Sequence, residues 1–289
     1  MSWRTVVISK RCKLDLKMGY LVVRSDETKR IFLDEITALI IENSSVSLTG
    51  CLLEALCERK INVLFCDSKR NPMAELSPLY GSHDCSRKIR EQIGWLDEVK
   101  LSVWTMIVAE KIHNQKKLLE ITGNLDAAEL LTTYLEEVEF GDVTNREGHS
   151  AKVYFNALFG KKFSRDLECC VNSALNYGYA ILLSAFNREI YSNGYITQLG
   201  LHHSNVFNKF NLSSDLMEPF RVLVDKYVYY ADFTEFGSEQ KYGILSLFNE
   251  SVAINGAKQT VWNAIRIYTK SVCEALNSGD LRNIKFIEL

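Results

Sequence analysis

The spacing of apolar residues changes once along this chain, near residue 80, and that change limits the folds open to it. Before it, apolar residues come in short runs rich in β-branched side chains: TVVIS (5–9), KLDLK (13–17), YLVVR (20–24), RIFLDEI (30–36) and TALIIEN (37–43). Several alternate, as strands with one buried face do. Met18–Gly19 is a predicted turn between the second and third. From Ser47 the pattern LTGCLLEALCERK predicts a helix with Leu52, Leu53, Leu56 and Cys57 on one face, and INVLFCD (61–67) a strand. Two of the three prolines fall in Asn71–Pro72 and Ser77–Pro78, and 72–88 is read as the linker.

Beyond residue 88 the period is helical. Val99, Val103, Met106 and Ile107 give one face of a helix over about 95–122, and Leu130, Leu131, Tyr134, Leu135 and Val138 the inner face of another over about 126–139. Helices are also expected from Asn145, over about 167–192 ending before Gly194, through Glu218 to about Tyr230, near 238–248, and over about 258–276 after an Asn255–Gly256 turn. The expected architecture is α+β: a small β-rich N-terminal domain (1–80) followed by a larger all-α C-terminal domain (81–289).

Composition is that of a soluble globular protein, 47% hydrophobic and 24% charged. A net charge of −2 weighs mildly against nucleic-acid binding by the chain as a whole. Local arrays of Lys and Arg matter more to phosphate contacts. Such clusters occur at Lys69–Arg70, Arg87–Lys88 with Arg90, Lys116–Lys117, and Lys161–Lys162 with Arg165; sequence alone does not select a DNA-binding one. The eight cysteines form no C-x-x-C pair, and Cys51, Cys57, Cys66 and Cys273 fall in apolar runs, as core thiols do. The N-terminus lacks an apolar signal segment, and no run reaches the ~18 apolar residues of a membrane span. A reduced, cytoplasmic protein is expected.

The candidate chemistry lies in QLGLHHSNVFNKFNLSSDLMEPFR (198–221), which holds His203, Asp215 and Glu218. Residues three apart on a helix share a face, so Asp215 and Glu218 can address one object. Ser213–Ser214 is read as the N-cap pair and Pro219 as a first-turn residue. Carboxylates beside an imidazole suit Mg²⁺ or Mn²⁺, and Glu147, in NREGHSAKVYF, offers a third carboxylate. The competing reading of Glu147 is a first-turn acid placed by the helix dipole, which sequence alone favours. For His203 it is an ordinary hydrogen-bonded histidine. On a helix only one of His202 and His203 can face the site; His83, His113 and His149 are read as structural.

The segments NREGHSAKVYFNALFG (145–160), SALNYGYAILLSAF (173–186), LGLHHSNVFNKF (199–210) and SDLMEPFRVLVDKYV (214–228) resemble the CRISPR-associated endonuclease/integrase family of spacer acquisition, and within it the type II-A branch. WRTVVIS and FCDSKRNP extend the resemblance over nearly the whole chain. It implies that Glu147, His203 and Glu218 hold a catalytic Mg²⁺ or Mn²⁺, with Asp215 close by, in a second metal site or orienting a ligand. It selects His203, which precedes Ser204–Asn205. It implies insertion of short foreign DNA into a CRISPR array by attack of a DNA 3′-hydroxyl on a repeat phosphate. It further implies double-stranded DNA partners, a homodimer through the β domain, and a heterohexamer with a small companion nuclease-fold subunit. An effector nuclease and a ring-shaped DNA-end-binding protein would also take part. The competing functions are a free-standing nuclease or branched-DNA resolvase, and a non-catalytic DNA-binding scaffold.

Overall fold

A computed structural model describes residues 3–79, 81–231 and 235–289. The chain divides into two compact units, Met1–His83 and Asp84–Leu289.

The first unit holds β1 (Arg4–Ile8), β2 (Lys13–Lys17), β3 (Tyr20–Arg24), β4 (Thr28–Phe32), β5 (Ile36–Ile41), β6 (Ser47–Leu48), α1 (Gly50–Glu58), β7 (Asn62–Cys66) and β8 (Pro72–Leu76). They form two four-stranded sheets, β1-β5-β7-β8 and β4-β3-β2-β6. All six residues of β5, ITALII, are buried, because it lies between parallel neighbours β1 and β7. Met18 and Gly19 both take positive φ (51° and 79°) in the two-residue turn between β2 and β3. That backbone matches the twist of the paired strands. The core joins Leu14, Leu21, Leu33, Ile36 and Leu39 to Leu52, Leu56 and Val63.

Three expectations shift here. The run 30–36 breaks after Phe32 into a 3-10 turn, Leu33–Glu35, so that the chain leaves one sheet for the other. The helix expected from Ser47 begins at Gly50, after β6 pairs parallel to β2. The stretch read as a linker opens with β8, antiparallel to β7. Pro72 is tolerated because β8 is the sheet's edge. Tyr80, inside that stretch, lies outside the described residues.

The second unit comprises α2 (Cys85–Ile93), α3 (Asp97–Ile121), α4 (Leu125–Glu136), α5 (Arg146–Phe159), α6 (Cys170–Ser192), α7 (Asn211–Leu216), α8 (Arg221–Tyr230), α9 (Ser238–Leu247), β9 (Ser251–Ile254), β10 (Ala257–Thr260), α10 (Val261–Ser278) and β11 (Ile287–Glu288). It is helical with one addition to the expected all-α domain, the sheet β10-β9-β11. Asn255 and Gly256, with φ of 54° and 70°, turn β9 into β10. Four-residue strands are too short to carry a periodic signal. Leu130, expected inward, is 40% exposed. None of the eight cysteines forms a disulfide; Cys66 and Cys273 are buried as expected, but Cys51 is exposed and Cys57 half-buried. Among the described residues no helix is long and apolar enough to cross a membrane.

Candidate active site

Glu147 is held through its backbone. Asn145 enters the left-handed region (φ 53°) and its side chain caps α5, accepting from the Gly148 N–H at 3.2 Å. Asp142, buried one turn earlier, accepts from the N–H groups of Arg146 (2.8 Å) and Glu147 (3.1 Å). Three otherwise unpaired N–H groups of the first turn are thereby satisfied, and the Glu147 carboxylate is free to point elsewhere.

Glu218 sits where two helices break. α7 ends at Leu216, a 3-10 turn covers Glu218–Phe220, and α8 starts at Arg221. Ser213 and Ser214 are therefore inside α7, whose N-cap is Phe210, and are not the caps expected. Pro219 occupies the first turn of the 3-10 segment. Its carbonyl accepts from Asn114 Nδ2 at 3.3 Å. Phe220, wholly buried, packs between Phe186 and Tyr268, with centroids at 5.4 and 5.3 Å. An aromatic anchor two residues away thus sets where Glu218 points.

The two glutamates meet on one cation. Lys111, from the middle of α3 and 6% exposed, donates from Nζ to Glu147 Oε1 and, at 2.5 Å, to Glu218 Oε2. Arg221 Nε donates to the other Glu218 oxygen at 3.0 Å. Burial works against ionising Glu218, but Arg221 and Lys111 hold its carboxyl below the usual range. Burial likewise pulls Lys111 down, and the Glu218 and Glu147 carboxylates overcome it and raise it. Lys111 is the residue that sequence reasoning missed; an isolated lysine in a helical stripe carries no signal of its own.

His203 is fixed from behind. Residues 198–210 form a loop, not the helix assumed in choosing between the two histidines. Asp215, wholly buried, accepts from the N–H groups of Leu201 (2.6 Å), His202 (3.2 Å) and His203 (3.2 Å), and faces His203 Nδ1 at 2.5 Å. Both Asp215 oxygens are thus committed to the loop, so it supports the imidazole rather than sharing a face with Glu218. A carboxylate accepting from Nδ1–H leaves the Nε2 lone pair free, the arrangement that orients metal-binding histidines. That hydrogen bond raises His203, against the opposite pull of burial. His202 turns away to stack on Trp104 (4.6 Å, 5°). Gly200 lets the loop close: a Cβ there would lie 2.3 Å from the His203 carbonyl oxygen and 2.7 Å from Asp215 Oδ2.

Beside Lys111 lies a cavity of ≈ 230 Å³, whose walls include Gln115, Phe155, Arg165, Tyr179 and Asp225. Arg221 and Arg165 stand 4.6 and 5.3 Å from the Tyr179 ring centroid. Gly178 permits the close approach of α6 and α8, since a Cβ there would meet Val224 Cγ1 at 2.4 Å. Across that contact the Tyr179 hydroxyl donates to Asp225, as does that of Tyr154 at 2.9 Å. Burial pushes the Asp225 carboxyl from 3.8 up to about 6, against both tyrosine hydrogen bonds. The folded protein therefore holds this proton more tightly than the unfolded chain does. The resulting stability is complete below the unfolded value and is lost as pH rises through about 6. Two pH units correspond to roughly 3 kcal/mol. Asp225→Asn is expected to flatten the fall in unfolding free energy between about pH 4 and 7 by that order, read from urea melts. An unchanged slope would contradict the assignment.

The structure thus joins Glu147 to Glu218 through Lys111 and His203 to Asp215. Among the described residues, no three His, Cys, Asp or Glu side chains gather closely enough to hold an ion. The fit to a divalent cation lies in the donor chemistry: two carboxylates sharing one cation position, and an imidazole whose Nδ1 is already engaged.

A strand-rich unit followed by a helical one with facing carboxylates and a carboxylate-held imidazole defines a two-unit α+β class of protein. The chain belongs to the family described as CRISPR associated protein Cas1, which matches residues 5–231. The CRISPR-associated endonuclease Cas1 of Neisseria meningitidis serogroup C (strain 8013) is 38% identical over 226 residues, 78% of this chain and 74% of that relative. Among solved structures, a casposase bound to integration product gives a TM-score of 0.75 at 19% identity, covering 97% of this chain and 92% of that one. A partial Cas6-RT-Cas1–Cas2 complex gives 0.66 at 18% identity, covering 97% of each. At those identities the likeness shows the fold.

Proposed function

We propose that the chain is a metal-dependent DNA endonuclease and integrase that inserts short foreign DNA into a CRISPR array. The observation that carries this reading is the convergence of Glu147 and Glu218 on a single cation beside a carboxylate-held histidine. Glu147, Glu218 and His203 would hold Mg²⁺ or Mn²⁺. A cation bound there offsets charge on a phosphate and lowers the pKa of the attacking hydroxyl. Asp215 keeps the proton on Nδ1 of His203 and so keeps Nε2 available. Arg221 holds the second oxygen of Glu218, which fixes the carboxylate's direction. Arg165, on the cavity wall with Arg221, offers guanidinium donors suited to phosphate.

The name of the Neisseria relative supports nuclease chemistry, and the titles of the two structures support an integration reaction and a Cas2-type small partner. The finer assembly rests on the sequence resemblance: a homodimer through the β-rich unit, the heterohexamer, the type II-A branch with its effector nuclease and ring-shaped protein, and a cytoplasmic location.

The test is strand transfer. Labelled short duplex DNA with free 3′-hydroxyl ends is incubated with the protein, the small partner subunit, a supercoiled plasmid bearing leader and repeat, and Mn²⁺ or EDTA. Label joined covalently to the repeat only with Mn²⁺ is the expected result. Nicks without joined product would point to hydrolysis, and binding without either product to a scaffold.

A further inference from the structure

The Lys111 ammonium occupies the position that two carboxylates facing one another would otherwise give to a metal. Its surroundings also contain a second place for it. Gln115 lies four residues on along α3, therefore on the same face one turn away. It is 4% exposed, lines the cavity next to Lys111, and its Oε1 is buried with no hydrogen-bond donor among the described residues. A buried amide oxygen without a donor is costly, and Lys111, one turn away on the same helix and lining the same cavity, carries an ammonium of the kind that satisfies one.

We infer that Lys111 and a divalent cation are alternative occupants of the position between Glu147 and Glu218, and that the displaced ammonium moves to Gln115 Oε1. This rests on the metal-site reading above and adds a residue that competes with the metal. No covalent bond changes in the exchange. With Lys111 between them the two carboxylates are held together and largely neutralised, so the site stays assembled whether or not a metal is present. Once the metal enters and the ammonium is retained nearby, the region gains positive charge that a DNA phosphate can offset. Lys111 is in this sense a positioning residue, a built-in counter-ion with a parking place.

The exchange makes predictions of opposite sign for the two residues, read without DNA and without turnover by Mn²⁺ titration with electron paramagnetic resonance. Lys111→Met removes the competitor and should tighten Mn²⁺ binding by about tenfold or more, the effect of roughly one ion-pair contact. The same variant in EDTA should melt several degrees lower, roughly the shift of one or two lost interactions, and Mn²⁺ should restore it. Gln115→Leu removes the parking place and should weaken Mn²⁺ binding. Where Lys111→Met fails to fold, Lys111→Gln replaces it in the same titration. Mn²⁺ binding unchanged or weakened in the Lys111 variants, with loss of binding in Glu218→Gln, would overturn the exchange and leave the metal site standing. Binding that Glu218→Gln leaves intact would instead overturn the metal-site reading itself.

Discussion

Glu218→Gln is expected to abolish strand transfer while leaving the fold and DNA binding in place. The amide keeps the size of the carboxylate but loses the charge on which two basic side chains, and the proposed metal, depend. A ligand of this kind supplies several kcal/mol of charge stabilisation in the transition state, so the joining rate should fall by about a thousandfold or more. The substitution is chosen over alanine for a structural reason. Glu218 is flanked by Lys111 and Arg221 in a buried setting. Truncation would remove both acceptor oxygens and the side-chain volume together with the charge, at a cost of about 3–5 kcal/mol, whereas the glutamine carbonyl oxygen still accepts from one of the two cations. In the glutamine variant Lys111 retains Glu147 and Arg221 retains the Tyr179 ring face. A folded variant that melts a few degrees below the parent and binds DNA with near-parental affinity, with no joined product, is the expected pattern. Joining at the parent rate would end the assignment of Glu218 as a ligand.

Gly200→Ala should damage the site through the backbone alone. The added methyl would meet the His203 carbonyl at 2.3 Å, Asp215 Oδ2 at 2.7 Å and Asn211 Cβ at 3.0 Å. None of the three is the end of a flexible chain: one is backbone, and the others belong to buried side chains of α7. The loop must open, and the Leu201 and His202 N–H bonds to Asp215 are the first to lengthen. Overpacking costs about 1–3 kcal/mol, to which the weakened hydrogen bonds add. Misorienting an imidazole of this kind should lower metal affinity by roughly 10–100-fold. Thermal melts and Mn²⁺ titration read the two effects separately. A variant matching the parent in both would show that the tight closure of this loop has no bearing on the histidine.

Much of this is legible in the amino-acid sequence. The alternating apolar runs of the first eighty residues and the helical stripes after them give the order of elements, because burial on one face dictates period. What escaped was local geometry set by distant partners. The break between α7 and α8 is invisible in SSDLMEPF, since it depends on Phe220 finding Phe186 and Tyr268. So Asp215 and Glu218, three apart, suggested one shared object and in fact serve different ones. The strands β9 and β10 are too brief to show a period, although the Asn255–Gly256 turn between them was readable. Chemical type and resemblance point to Glu147, Glu218 and His203. Nothing in the sequence points to Lys111, because its meaning comes from two carboxylates 36 and 107 residues away.

The closure of residues 201–203 on Asp215 has a consequence for how such a protein can change over generations. The imidazole is located by three backbone N–H groups and a ring nitrogen converging on one carboxylate, so its address does not depend on helical register. Insertions or losses between Ser204 and Phe210 would not rotate it, as they would if it sat on a helix. Val206 and Phe207, at 89% and 92% exposed, stand at the outer end of that segment. The histidine is thereby held independently of the exposed tip at Val206 and Phe207, whose outward contacts can vary while the imidazole stays put.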